Sequence, residues 1–151
     1  MLNDQEFMRQ ALEEAHLAAR EDEVPVGAVL VAHDGAVLAR AHNQTIARCD
    51  PTGHAEIIAL REASQAVGNF RLLNTTIYVT IEPCIMCVGA LLQARVARIV
   101  FGAWDPKWGG AGSLYNLADD ARLNHTISVQ GGVLEEECRT VMQDFFRARR
   151  G

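Results

Sequence analysis

The chain has 151 residues, 49% of them hydrophobic and 22% charged, a balance that excludes a disordered polar chain and fits one compact core. Its net charge of -5 excludes binding nucleic acid through a broad basic face, so any contact with phosphates has to be local. No apolar run approaches the roughly 20 residues of a membrane span, and the acidic start Met1-Leu2-Asn3-Asp4-Gln5-Glu6 has no signal-peptide pattern, so a cytoplasmic protein without a membrane partner is expected.

The first predicted element is a helix over residues 4–20, with Phe7, Ala11, Ala15, Ala18 and Ala19 on an apolar stripe and Asp4 as its N-cap. Residues 26–32 form a continuous apolar run of strand length, and Asp34-Gly35 separates it from residues 36–39, a hairpin signal. A polar loop over 44–53 leads into a helix that opens at His54 and ends at Val67, where Gly68 stops it. Residues 76–80 read as a strand, 84–94 as a helix and 98–102 as a strand. Beyond a glycine-rich loop over 104–112, residues 126–129 offer a fifth strand and 134–149 a last helix. The order β-β-α-β-α-β predicts a mixed sheet, an antiparallel hairpin followed by helical crossovers, with helices on both faces. With no repeat and no linker, residues 1–151 read as a single domain.

Four cysteines are present, two of them close together in Cys84-Ile85-Met86-Cys87, which in a cytosolic chain points to metal or redox chemistry over disulfides. His54-Ala55-Glu56 and Pro83-Cys84-Ile85-Met86-Cys87 each fall at the predicted start of a helix. There, unpaired N–H groups and the helix dipole stabilise thiolates, and cysteines at i and i+3 share one face. Two thiolates and one imidazole leave the fourth position of a tetrahedral Zn²⁺ for water, the arrangement of a catalytic site. His54, Cys84 and Cys87 are therefore the candidate metal ligands. Glu56, two residues beyond the histidine, is placed beside the metal as the group that moves protons. A thioredoxin-like redox pair at Cys84 and Cys87 leaves His54 and Glu56 unexplained. A structural four-cysteine site with Cys49 and Cys138 lacks the second close pair such sites use, so those two are read as free thiols. His16, His33, His42 and His125 belong to no motif and are read as surface or loop residues.

His-x-Glu followed by Pro-Cys-x-x-Cys is the pattern of zinc nucleobase deaminases. With it stand Glu23-Val24-Pro25-Val26-Gly27-Ala28, Asn43, Asp50-Pro51-Thr52-Gly53, Thr80-Ile81-Glu82, Asp105-Pro106-Lys107, Gly112-Ser113 and Phe145-Phe146-Arg147. Together these segments, spread over nearly the whole chain, resemble the bacterial tRNA-specific adenosine deaminase family of the cytidine/deoxycytidylate deaminase superfamily. The resemblance implies an α/β fold, three-layered α/β/α with a central mixed five-stranded sheet, forming one zinc-dependent deaminase domain with one Zn²⁺ per subunit in a homodimer. It implies hydrolytic deamination of adenosine to inosine at the wobble position of an arginine tRNA anticodon, with the anticodon stem-loop as partner and no DNA as natural substrate. By matching position, Asn43 hydrogen-bonds the flipped nucleotide and Ala55 contacts it. The Pro83 carbonyl faces the departing amine, and Phe145 with Arg149 helps hold the loop. Gly53, where alanine is common, and Trp108 depart from the family pattern.

Two other functions stay open at this point: a free-base or nucleotide deaminase acting on guanine, cytosine or deoxycytidylate, and a non-catalytic zinc-binding RNA module, against which Glu56 speaks. Trp104 and Trp108 either stack on a base or fill space. Ile85, Met86, Ala90 and Leu91 either meet a second subunit or belong to the core. Phe145 and Phe146 with the arginines after them either bind RNA or form an aromatic pair at a solvated helix end.

Overall fold

The computed structural model describes residues 2–150. Helix α1 (Asp4–Arg20) is capped by Asn3, whose side-chain oxygen accepts from the Glu6 N–H at 3.2 Å. Asp4, the expected cap, is free for another task because its neighbour does the capping. It accepts two hydrogen bonds from Arg98 at 2.9 and 2.7 Å and one from the Tyr78 hydroxyl at 2.8 Å, tying the start of the helix to the middle of the sheet. The buried stripe of α1 is Met8, Ala11, Leu12, Ala15 and Ala18, while Phe7 and Ala19 are only partly covered. Phe7 lies at the edge of that stripe, its ring 5.2 Å from the Tyr78 ring.

Five strands form one sheet in the order β2-β1-β3-β4-β5: β1 (Gly27–Ala32), β2 (Val37–His42), β3 (Thr75–Ile81), β4 (Arg98–Ala103) and β5 (Ser128–Gln130). Strand β1 pairs antiparallel with β2 and β3, and β3, β4 and β5 run parallel. Helices α2 (Ala55–Val67) and α3 (Ile85–Gln93) cover one face and α1 and α4 (Glu135–Arg150) the other. The α/β/α layering explains why β1 reads as an unbroken apolar run. Ala28 and Leu30 face α2 and α3, and Val29 and Val31 face α1 and α4. At Gly27 the first helix crosses the strand so closely that a Cβ would stand 1.9 Å from the Ala11 carbonyl oxygen.

Strand β2 runs on to His42, three residues past the expected end, because acids of α1 hold its outer side chains. Arg40 meets Glu13 at 2.8 Å, and His42 sits between Glu14 at 2.9 Å and Glu21 at 3.0 Å. His42 is thus an anchored strand residue, and His125 likewise meets the Val96 carbonyl at 2.9 Å; neither is a loose surface group. Gly68, with φ +70°, stops α2 as expected. Strand β5 begins only at Ser128, since the Ile127 N–H is spent on the Ala118 carbonyl at 2.8 Å. Among the described residues no helix is long and apolar enough to cross a membrane. The N-termini of α2 and α3 meet where the parallel strands end, the place open α/β sheets offer to ligands.

Candidate metal centre and its cleft

His54 and Cys84 are the N-caps of α2 and α3, both extended (ψ 152° and 174°), and neither uses its side chain to cap. Their backbone carbonyls start the helices, accepting from Ile58 and Val88, so both side chains are left to point at one another. His54 Nδ1 lies 3.6 Å from Cys84 Sγ and 3.5 Å from Cys87 Sγ, and all three ligand atoms fall within 4.8 Å. A tetrahedral ion with Zn–S near 2.3 Å and Zn–N near 2.0 Å spaces nitrogen and sulfur about 3.6 Å apart. The three side chains fit that ion in donor type and in spacing. No other cluster of three or more His, Cys, Asp or Glu side chains close enough to share an ion occurs among the described residues. Cys49 is exposed and Cys138 is buried against Gly102 behind the sheet, so neither joins the site.

The charges agree with a cation site. The Cys84 thiol is drawn down to about 4, first by its hydrogen bond with Cys87 and then by His54, with burial opposing. Cys87 is pushed up by the same bond with Cys84 and by burial. The opposite directions follow from one bond, in which Cys87 donates to the Cys84 sulfur. His54 is raised by its bond with Cys84, against burial.

Glu56, in the first turn of α2, is 3% exposed, and its Oε1 is the one buried side-chain oxygen or nitrogen without a hydrogen-bond partner among the described residues. Burial above all pushes its carboxyl up to about 7. Glu56 is thus a buried helix-start carboxylate beside two sulfurs with one oxygen unspent.

Above these residues opens a cleft of about 700 Å³, lined among others by Asn43, Ala55, Glu82, Trp108 and Met142. Asn43 and Ala55 are thus brought to the metal centre. Pro83 is buried beside Cys84, and its carbonyl accepts from the Gly110 N–H at 2.8 Å. Phe145 and Arg149 are not brought there: both line a separate groove between α1 and α4, and Arg149 also borders a second, basic groove. In the first the Arg149 guanidinium stacks 4.3 Å over the Phe145 ring and bonds the Asp22 carbonyl at 3.0 Å. Phe146, edge-on to Phe145, instead faces the basic groove, shared by Lys107, Arg147, Arg149 and Arg150, which has Met142 in common with the cleft.

Two carboxylates that sequence reasoning missed build the walls of the cleft. Glu23, 1% exposed, accepts from the Ile46 and Ala47 N–H groups at 3.1 and 2.7 Å and fixes the loop after Asn43. Glu82, 2% exposed, accepts from the N–H groups of Asp105, Ala111 and Ser113 at 3.0, 3.1 and 2.9 Å and from the Ser113 hydroxyl. Glu82 stands out in the sequence as an acid after the largely apolar run 77–81, whereas Glu23, behind Glu21 and Asp22, reads as one more surface acid.

The family model that matches, over residues 2–150, is the MafB19-like deaminase. The chain is 50% identical over 147 residues to a tRNA-specific adenosine deaminase of Haemophilus influenzae, covering 97% of this chain and 85% of that one. To the protein of the same description in Bacillus subtilis it is 47% identical over 150 residues, covering 99% and 92%. A solved structure from work on A-to-I editing by tRNA:A34 deaminases at the wobble position of transfer RNA superposes with a TM-score of 0.86 at 43% identity, over 90% of this chain and 98% of the other. A guanine deaminase from Nitrosomonas europaea, 20% identical, shares the fold, with a TM-score of 0.84 over 96% of this chain and 85% of that one.

Proposed function

The chain belongs to the tRNA-specific adenosine deaminase family, and from that premise we propose that it converts adenosine to inosine by hydrolysis at the wobble position of a tRNA anticodon, that of an arginine tRNA. The observation that carries the reading is Glu56 Oε1, buried and without a partner beside three zinc-type donors. A metal site that only holds a fold together has no use for such an oxygen, which speaks against a non-catalytic module.

His54 through Nδ1 and Cys84 and Cys87 through Sγ would hold one Zn²⁺ per subunit; when bound, it supplies a water that is nucleophilic near neutral pH. Glu56 takes one proton of the attacking water and gives it to the adenine ring nitrogen, then takes the remaining proton from the oxygen added at C6 and passes it to the amino group there, so that ammonia leaves and a carbonyl remains. Asn43 and Ala55 contact the target nucleotide from the cleft wall, and the Pro83 carbonyl faces the departing amine. Phe145 and Arg149, outside the cleft, hold the stem-loop farther out. A groove that shares Met142 with the cleft is lined by Lys107, Arg147, Arg149 and Arg150, which suits a phosphate chain better than a free base.

The whole chain acts as one deaminase domain, in the cytoplasm where tRNA is found, and pairs with a second copy. Ile85, Leu114 and Tyr115, all exposed beside the 109–110 turn, supply apolar surface for that contact, whereas Leu91 belongs to the core. Sedimentation at micromolar concentration showing only monomer rules the pairing out.

The deciding experiment offers a stem-loop with a wobble adenosine to the zinc-loaded protein and to Glu56→Ala, with free adenosine, cytidine and guanine as rivals. Inosine forms in the stem-loop, and the variant loses at least about a hundredfold in rate while keeping its zinc. Turnover of a free base with none of the stem-loop transfers the protein to the small-molecule deaminases.

A further inference from the structure

The loop after β4 carries two tryptophans with different surroundings. Trp104 sets its ring edge-on against Phe101, with centroids 4.7 Å apart at 90°, and Gly131 is so close that a Cβ there would stand 2.7 Å from the indole. One side of its ring is thus used by the fold, although the residue is 47% exposed, and it does not line the metal cleft. Trp108, 66% exposed, lines the metal cleft.

Trp108 stands on a backbone that is fixed on both sides. Its own N–H and that of Lys107 bond Asp105 Oδ1 at 3.2 and 3.0 Å, and the Gly109 N–H bonds the Asp105 carbonyl at 2.8 Å. Gly109 forms a bridge with Cys84, the Gly110 N–H donates to Pro83, and Glu82 receives the amides of Asp105, Ala111 and Ser113. The first three bonds close the loop on Asp105, and the others tie it to residues 82–84, the turn that carries Cys84. The backbone that carries the indole is therefore held at a set position relative to Cys84. An aromatic side chain exposed on so firm a support has the backbone share of its ordering cost met before any partner arrives. Lys107, next to it, joins Arg147, Arg149 and Arg150 in the basic groove that shares Met142 with the cleft. Cations suited to phosphates thus flank an aromatic face suited to a base, the pairing found where single-stranded nucleic acid is gripped.

From this arrangement we infer that Trp108 is a specificity-determining residue: it stacks on the base of a nucleotide flanking the target adenosine in an RNA loop. The inference rests on the reading of the site as an RNA deaminase.

The test uses the zinc-loaded protein, Trp108→Ala and Trp108→Phe, with stem-loops in which 2-aminopurine replaces each nucleotide beside the wobble adenosine in turn. Binding to the wild type quenches the probe at one flanking position. Trp108→Ala loses that quenching and raises KM between about five- and a hundredfold with kcat within about twofold and zinc content unchanged, while Trp108→Phe retains most of both. Unchanged KM and quenching in Trp108→Ala overturn the inference. So does a variant that weakens self-association and leaves the RNA constants alone, since Trp108 then serves a subunit contact. A wild type that neither binds nor converts the stem-loop removes the underlying reading and the inference with it, an outcome visible without any variant.

Discussion

Replacing Glu82 with alanine removes, in one step, the acceptor of three backbone N–H groups and a hydroxyl. The Ser113 hydroxyl can turn to water, so the cost lies in the three amides. A buried donor stripped of its partner costs about 1–3 kcal/mol. Only the Ala111 bond is fully buried, so the lower figure is the fair one for each, giving a loss of about 3 kcal/mol. Glu82→Gln keeps one carbonyl oxygen but turns an NH₂ toward the remaining donors, and about half that loss is expected. Because Gly109 packs directly on the Glu82 carboxylate, the loop can also come away from the 82–84 turn and admit water, which converts global instability into local opening. Urea denaturation reads the first and amide hydrogen exchange at Asp105, Ala111 and Ser113 the second. A stability change below about 1 kcal/mol together with unchanged protection at those amides would refute the idea that Glu82 holds this wall of the cleft.

Gly27→Ala is expected to destabilise at or above the upper end of the roughly 1–3 kcal/mol range of overpacking, because the obstacle is the Ala11 carbonyl of a helix backbone; an unshifted thermal midpoint would show that α1 can move aside. Stability should also carry the sign of two buried-edge titrations. Asp4 is held below its ordinary 3.8 by the Arg98 hydrogen bonds, with burial opposing and Tyr78 assisting, so its contribution is complete above that pH and fades as the solution is acidified. Arg98→Met should therefore be less stable than wild type from pH 5 to 7, with the gap closing toward pH 3; a gap of constant size contradicts it. For His42 the sign reverses. Burial alone would lower it, but its bonds to Glu14 and Glu21 raise it above 6.5, so its contribution is complete below that value and lost as pH rises past its elevated one; Glu14→Gln should weaken this pH dependence and removal of both acids abolish it, and an unchanged pH profile of the thermal midpoint in the double variant contradicts it.

The metal centre was legible because its chemistry is written in two short segments, each of which also marks a helix start. His54 and Cys84 are caps, and caps are local. The end of α2 at Gly68 and the apolar run of β1 were readable for the same reason, since one residue type or one run suffices to dictate them. Contacts between distant residues were not. Asn3 and Asp4 are equally good caps on paper, and only Arg98, 94 residues away, decides between them. Glu23 and Glu82 look like surface acids until the loops that supply their N–H donors are folded around them. Phe145 and Arg149 follow one another at helical spacing and form a pair, but which groove they face depends on how α4 rests on α1, which no pattern within α4 contains.

Glu82 grips its loop almost wholly by backbone N–H groups, which every residue except proline possesses. The path of the 105–113 segment is thereby made independent of the side chains at 106, 107 and 108, all of which are exposed. Substitutions there can alter what the mouth of the cleft favours while the position of Cys84 stays as it is. In a lineage under pressure to change which RNA loops it accepts, these are the positions where variation should accumulate first, and an engineer wishing to shift sequence context without disturbing the metal should begin with them.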